Sequence, residues 1–159
     1  MNPVVVLILG IHGSGHQLVR SYLKDVNITS QVQVYSLPAS GAFAISQDTH
    51  LAAAIDAVLA LPADVRVVRL DRYVPDAVCS TFGRFGERDS DICEHCRRAK
   101  ESLKVLSLYA ADEHIIFEKA VRNQSYVIEK LSRVLRGVPF ASKRLREVSH
   151  PPHMLQQYD

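Results

Sequence analysis

An unbroken apolar run, Val4 to Leu9, opens the chain. A strand with one wet face alternates, whereas a continuous β-branched and aliphatic run fits a parallel strand covered on both faces. Gly10 to Gly15 (GIHGSG) follows as a glycine-rich turn. Gln17 to Lys24 reads as a helix with Leu18, Tyr22 and Leu23 on one side. Val32 to Tyr35 is a short second strand, and Pro38 to Ser46, rich in small residues, reads as loop. Leu51, Ile55, Val58 and Leu59 then share one helical face, so a helix begins near Thr49, with Asp48 or Thr49 as its cap, and ends at Pro62.

Val65 to Leu70 is a third strand, and Pro75 to Thr81 opens the next helix, where a missing N–H is tolerated. Gly83 to Asp91 is polar and expected to be loop; Cys96 to Ala110 reads as a helix carrying Leu103, Leu106 and Tyr109. His114 to Phe117 is a fourth strand. Val127, Ile128, Leu131, Val134 and Leu135 mark an amphipathic helix that Gly137 ends. Periodicity stops after Pro139, and His150-Pro151-Pro152-His153 is not helical. Strands alternating with helices predict an α/β fold with a parallel sheet and right-handed crossovers. The expected division is one domain over residues 1–137 and a tail over 138–159.

Composition narrows the class. A length of 159 residues suits one domain with one core. A net charge of +2 gives no reason to expect nucleic acid or an anionic membrane as partner. No stretch approaches the roughly 20 apolar residues that span a bilayer. Val4 to Leu9 lacks the basic flank of a signal peptide. Three cysteines, Cys79, Cys93 and Cys96, form no even disulfide framework, which fits a reducing compartment and a cytoplasmic location. The basic residues Arg133, Arg136, Lys143, Arg144 and Arg146 read as a solvated helix face.

Candidate chemistry lies in three motifs in fixed order. The first is the loop Gly13-Ser14-Gly15-His16-Gln17 at the start of a helix, where unpartnered N–H groups and the helix dipole favour a phosphate. Gly10 and Gly15 have P-loop spacing, but His16 and Gln17 stand where lysine and Ser/Thr are expected, which disfavours a magnesium-dependent kinase. The second, Thr49-His50-Leu51, offers a base. The third is Arg72 with Ser80 after the third strand, a cation and a hydroxyl. Each also has a plain structural reading: a linking turn, a surface histidine, an Arg72–Asp76 ion pair, and a serine bonded to its own helix. His12 reads as the exposed tip of the loop. Cys93-Glu94-His95-Cys96 is half of a zinc pattern, with His95 or His114 nearby, but no second pair completes it; no metal is expected there.

Taken together the motifs resemble the sulfotransferase family, especially its cytosolic branch. Ile8 to Gln17 (ILGIHGSGHQ) stands in place of that family's Pro-Lys-Ser-Gly-Thr-Thr loop, and Thr49-His50-Leu51 matches its Thr-His-Leu segment. Arg72 to Ser80 (RYVPDAVCS) keeps Arg, Asp and Ser of the family's Arg-Asn-Pro-x-Asp-x-x-x-Ser in register, with proline moved one place. Phe117-Glu118-Lys119 stands where Tyr-Glu-Asp is usual, and the likeness covers roughly residues 4–137. Gly13 occupies the place of the loop lysine, and the family's late Arg-Lys-Gly segment has only Ser142-Lys143-Arg144 as a weak substitute.

The resemblance implies a three-layer α/β/α fold of P-loop NTPase type. It implies sulfuryl transfer from 3′-phosphoadenosine 5′-phosphosulfate to a hydroxyl or amine of a small acceptor. His50 would be the base. Gly13, Ser14, Gly15, His16 and Gln17 would hold the 5′-phosphate, with a protonated His16 standing in for the lysine. Arg72 and Ser80 would hold the 3′-phosphate. Three alternatives stay open: a catalytically inactive relative that binds nucleotide or a partner protein, a metal-containing module built on Cys93 and Cys96, and a nucleotide kinase. Acceptor and oligomeric state are not specified by these residues.

Overall fold

The structure, a computed structural model, describes residues 3–30, 32–38, 48–85 and 92–138. Four strands form one all-parallel sheet: β1 (Val4–Leu9), β2 (Gln33–Leu37), β3 (Asp64–Asp71) and β4 (Glu113–Ile116), in the order β2-β1-β3-β4. Among the described residues six helices accompany them: α1 (His16–Ser30), α2 (Asp48–Leu59), α3 (Val74–Phe85), α4 (Ile92–Leu106), α5 (Phe117–Ala120) and α6 (Gln124–Val134).

The apolar run of β1 explains the layering. Val6 and Ile8 face one core, shared with Leu18, Tyr22, Phe117, Val127 and Leu131 of α1, α5 and α6. Val5, Leu7 and Leu9 face the other, shared with Leu51, Ile55, Ala77 and Leu106 of α2, α3 and α4. Both faces of the sheet are therefore covered by helices, an α/β fold compatible with three α/β/α layers. Among the described residues no helix is long and apolar enough to cross a membrane.

The strand order sets where a ligand would lie. The chain leaves β1 toward β2, returns across β1 to β3, and continues outward to β4. The direction of winding thus changes between β1 and β3. In open α/β sheets ligands bind beyond the carboxyl ends of the strands at such a switch point. The loop after β1 and Arg72 after β3 meet there.

The β1 span agrees with the sequence reading, and β3 extends it by one residue at each end. The second strand is shifted to Gln33–Leu37. Helix α1 runs on to Ser30, α3 starts at Val74 and includes Gly83 to Phe85, and α4 starts at Ile92 rather than Cys96. The early start of α4 has a physical cause: Glu94 pairs with Arg97 and Arg98, and Arg97 with Glu101, all one turn apart. Phe117 is not the last residue of β4 but the first of α5. The expected loop over Ala39 to Ser46, the remainder of the polar loop (Gly86 to Asp91) and the tail from Pro139 lie outside the described residues.

Helix α6 begins at Asn123, whose side chain accepts the Tyr126 N–H at 3.1 Å. At its other end Arg66 donates to the carbonyls of Val134 and Arg136, each at 2.6 Å. These bonds satisfy carbonyls that the helix itself leaves unmatched. Leu131, fully buried within the α1–α6 core, should be costly to truncate: Leu131→Ala is expected to lower stability by about 2–5 kcal/mol. Urea unfolding that shows a loss below about 1 kcal/mol, within the spread for a surface site, would contradict this packing.

Candidate functional site

The loop between β1 and α1 is built from the backbone. Gly10 N–H reaches Leu37 O at 3.3 Å, tying the loop to the end of β2. Ser14 donates twice to Ile11 O, through its N–H at 3.1 Å and its hydroxyl at 2.6 Å, and so closes a tight turn. The first intrahelical bond of α1 runs from Val19 N–H to Gly15 O at 3.1 Å. The N–H groups of His16, Gln17 and Leu18 therefore have no carbonyl one turn back within the helix. An anion at this end would also meet the positive end of the helix dipole.

Two glycines here are obligatory. Gly13 has φ +80°, and a Cβ on it would lie 2.6 Å from Ala77 O and 2.7 Å from Thr81 Oγ1. Gly15 has φ +108°, and a Cβ there would lie 2.7 Å from the Phe117 ring. The absence of a lysine at position 13 is thus a packing requirement: α3 lies against the loop too closely for any side chain.

Arg72 completes the junction. Its Nη1 donates to Gly13 O at 2.5 Å, and its guanidinium lies 4.1 Å from the centroid of the Phe117 ring. Next to it, Tyr73 N–H donates to Glu118 Oε1 at 2.9 Å. The segments following β1, β3 and β4 are in this way tied at one end of the sheet.

The expected site residues fall into place unevenly. Gly13, Gly15, His16 and Arg72 meet at this junction. Ser14 does not present itself outward: it is 1% exposed, and both of its donors serve Ile11 O. Gln17 is exposed in the first turn of α1. Ser80 is half-buried on α3, but its neighbour Thr81 is the residue that touches Gly13. His50 is exposed in the first turn of α2. Helix α2 follows β2 and leads back to the start of the parallel strand β3, so His50 in its first turn stands at the same end of the sheet. No hydrogen bond joins His50 to the loop or to Arg72 among the described residues.

Two expectations about histidines are corrected. His16 is not a charged substitute for lysine. Its Nε2 lies 2.8 Å from Gly10 O, a contact in which the imidazole must donate. Burial, with Arg20 nearby, lowers its pKa against the opposing pull of that hydrogen bond, so the ring is neutral. His12 is not an exposed tip. It is half-buried, and burial first, then the neighbouring His16, push its pKa down to about 4.

Sequence reading missed Ala77, Thr81 and Phe117 as parts of this junction. Phe117 was legible only as a member of the Phe117-Glu118-Lys119 segment. The contact of Gly13 with α3 leaves no sequence signal beyond the glycine itself. Cys93 and Cys96 lie in the first two turns of α4, exposed and half-exposed, while His114 sits on β4 with Nδ1 3.2 Å from Asp71. No family model matches the chain, and no curated protein or solved structure matches it.

Two outcomes follow. Gly13→Ala forces a left-handed backbone on alanine and a backbone clash with Ala77, and it should cost about 1–3 kcal/mol in denaturant unfolding; an unchanged midpoint would refute the close approach of α3. The second concerns acid. A histidine whose folded pKa is depressed is neutral when folded and charged when unfolded, so its contribution is whole above about 6.5 and is lost as pH falls toward about 4. For His12 the loss from pH 7 to pH 5 is on the order of 2 kcal/mol. His12→Gln should flatten that slope; an equal slope in the variant would place the titration elsewhere.

Proposed function

We propose that the protein is a compact α/β domain of P-loop NTPase type with the activity of a sulfotransferase. It would bind 3′-phosphoadenosine 5′-phosphosulfate and transfer the sulfuryl group to a hydroxyl or amine of a small acceptor. The observation that carries this reading is the contact between Arg72 and Gly13 O, which brings a cation to a glycine loop of phosphate-binding spacing at the switch point. The donor set suits a phosphate ester: helix-start N–H groups beside a guanidinium.

Each residue has a chemical task in this reading. The N–H groups of His16 and Gln17, with Gly15 allowing close approach, hold the 5′-phosphate and stabilise the charge that develops on it. Arg72 and Ser80 hold the 3′-phosphate by charge-assisted and hydroxyl hydrogen bonds. His50 accepts the proton of the acceptor hydroxyl or amine, which leaves that atom's electron pair to attack sulfur. When bound, the nucleotide supplies an activated sulfuryl group and a phosphate leaving group. We assign the protein to a reducing, cytoplasmic setting, since none of Cys79, Cys93 and Cys96 is in a disulfide.

A second reading, nucleotide binding without turnover, is favoured by the state of the loop. Position 13 has no room for a lysine, and the His16 proton is committed to Gly10 O. The loop then offers dipoles and no charge of its own to the transferring group.

Calorimetry with adenosine 3′,5′-bisphosphate and a turnover assay with a phenolic acceptor separate the readings. Binding is expected, and Arg72→Ala should weaken it roughly 10- to 100-fold, the worth of hydrogen bonds from a charged group. His50→Ala should keep the affinity and lower turnover about 10²–10⁴-fold. Binding by a wild-type protein that turns nothing over selects the second reading. No binding at millimolar nucleotide defeats both.

A further inference from the structure

Helix α1 joins two parallel strands, so it runs back along them, and β2 beside it is an edge of the sheet. An open groove of about 330 Å³ lies between the two. Gln17, Arg20, Ser21 and Lys24 line it from α1 as one stripe at helical spacing, and Leu23 and Val34 form its apolar part. None of the lining residues is acidic. The Ser21 hydroxyl donates to Leu18 O at 2.6 Å. Among the described residues Arg20 and Lys24 form no ion pair and no hydrogen bond. Like charges four positions apart weaken a helix. The two cations therefore cost α1 stability, and no polar contact within the fold offsets that cost.

The strand edge is open in the same place. β2 pairs with β1 on one side, and among the described residues no strand pairs with the other. Its outward N–H and C=O groups are a template for one more strand. Val34 belongs both to β2 and to the groove wall. We propose that this edge binds an acidic extended peptide by strand addition, with carboxylates at alternate positions meeting Arg20 and Lys24. Spacing supports that occupant. Four residues of helix rise about 6 Å, and residues on one face of a strand recur every 6.6 Å or about that. A Glu-x-Glu pattern thus matches the two cations along a common direction. The chain's own basic stretch, Lys143, Arg144 and Arg146, carries the wrong sign for this groove.

The surface does not depend on the nucleotide reading. Arg20 and Lys24 take no part in that site, and the stripe runs along α1 away from the glycine turn. Main-chain hydrogen bonds to β2 supply the affinity, and the cations choose the partner. Exposed ion pairs are worth little each and are screened by salt, so the preference for acidic residues is salt-sensitive.

Fluorescence anisotropy and amide hydrogen exchange on the full chain test this. The probe is a short labelled peptide alternating valine and glutamate. One control alternates valine and lysine; another carries a central proline, which cannot enter a strand ladder. Saturable binding of the glutamate peptide is expected, with slowed exchange at the amides of β2 (Gln33–Leu37). Arg20→Gln and Lys24→Gln should each weaken it about two- to fivefold, and the double variant roughly tenfold. High salt should weaken binding to the wild type and change the double variant much less. Circular dichroism checks that each variant is folded. Equal binding of either control, protection confined to amides outside β2, or wild-type affinity in the double variant would overturn the proposal. So would an oligonucleotide bound as tightly as the peptide, or no saturation by millimolar peptide.

Discussion

The arrangement of the carboxyl end of the sheet depends on one guanidinium. Arg72 leaves β3, gives a hydrogen bond to the carbonyl of Gly13, and lies over the ring of Phe117. These two contacts join three segments that are distant in sequence. They also orient the glycine turn, because a carbonyl held by Arg72 fixes the peptide plane that follows it. In an apolar setting such a charge-assisted bond is worth more than an ordinary one, and leaving its acceptor unmatched costs more. The ring beneath the guanidinium replaces water with a polarizable face.

Close approach is the second constraint. Gly13 and Gly15 each press a bare α-carbon against a neighbour, Thr81 with the Ala77 carbonyl in one case and the Phe117 ring in the other. The loop is consequently clamped from both faces of the sheet. That clamp also decides the charge of the loop. It leaves no room for a side chain at position 13, and it buries His16 deeply enough to keep the ring neutral. A phosphate arriving here would meet N–H dipoles first and the Arg72 guanidinium second.

Much of the fold could be read from residue patterns, and the reasons are local. Val4 to Leu9 is covered on both faces, so an unbroken apolar run marks its limits without ambiguity. The start of α4 could not be found that way. Its first turns, Cys93 to Lys100, carry no apolar stripe and depend on ion pairs between neighbouring turns. Phe117 was misplaced because an aromatic residue after Ile115 and Ile116 looks like a strand, whereas the chain turns there into α5. In the site, Arg72 and the glycines were legible as residue types at telling positions. Thr81 was hidden by Ser80, which fitted a spacing, while burial chose its neighbour. The burial of His12 was likewise invisible, since nothing in the sequence tells which side of a turn faces a helix.

The bond from Arg66 to the last carbonyls of α6 has a geometrical consequence. It anchors the end of that helix beside the first residues of β3, at the amino edge of the sheet. The glycine turn sits at the opposite edge. The two edges are separated by the length of β3, eight residues or about 26 Å at 3.3 Å each. A contact made at the end of α6 and one made at the glycine turn are therefore separated by the full length of a strand.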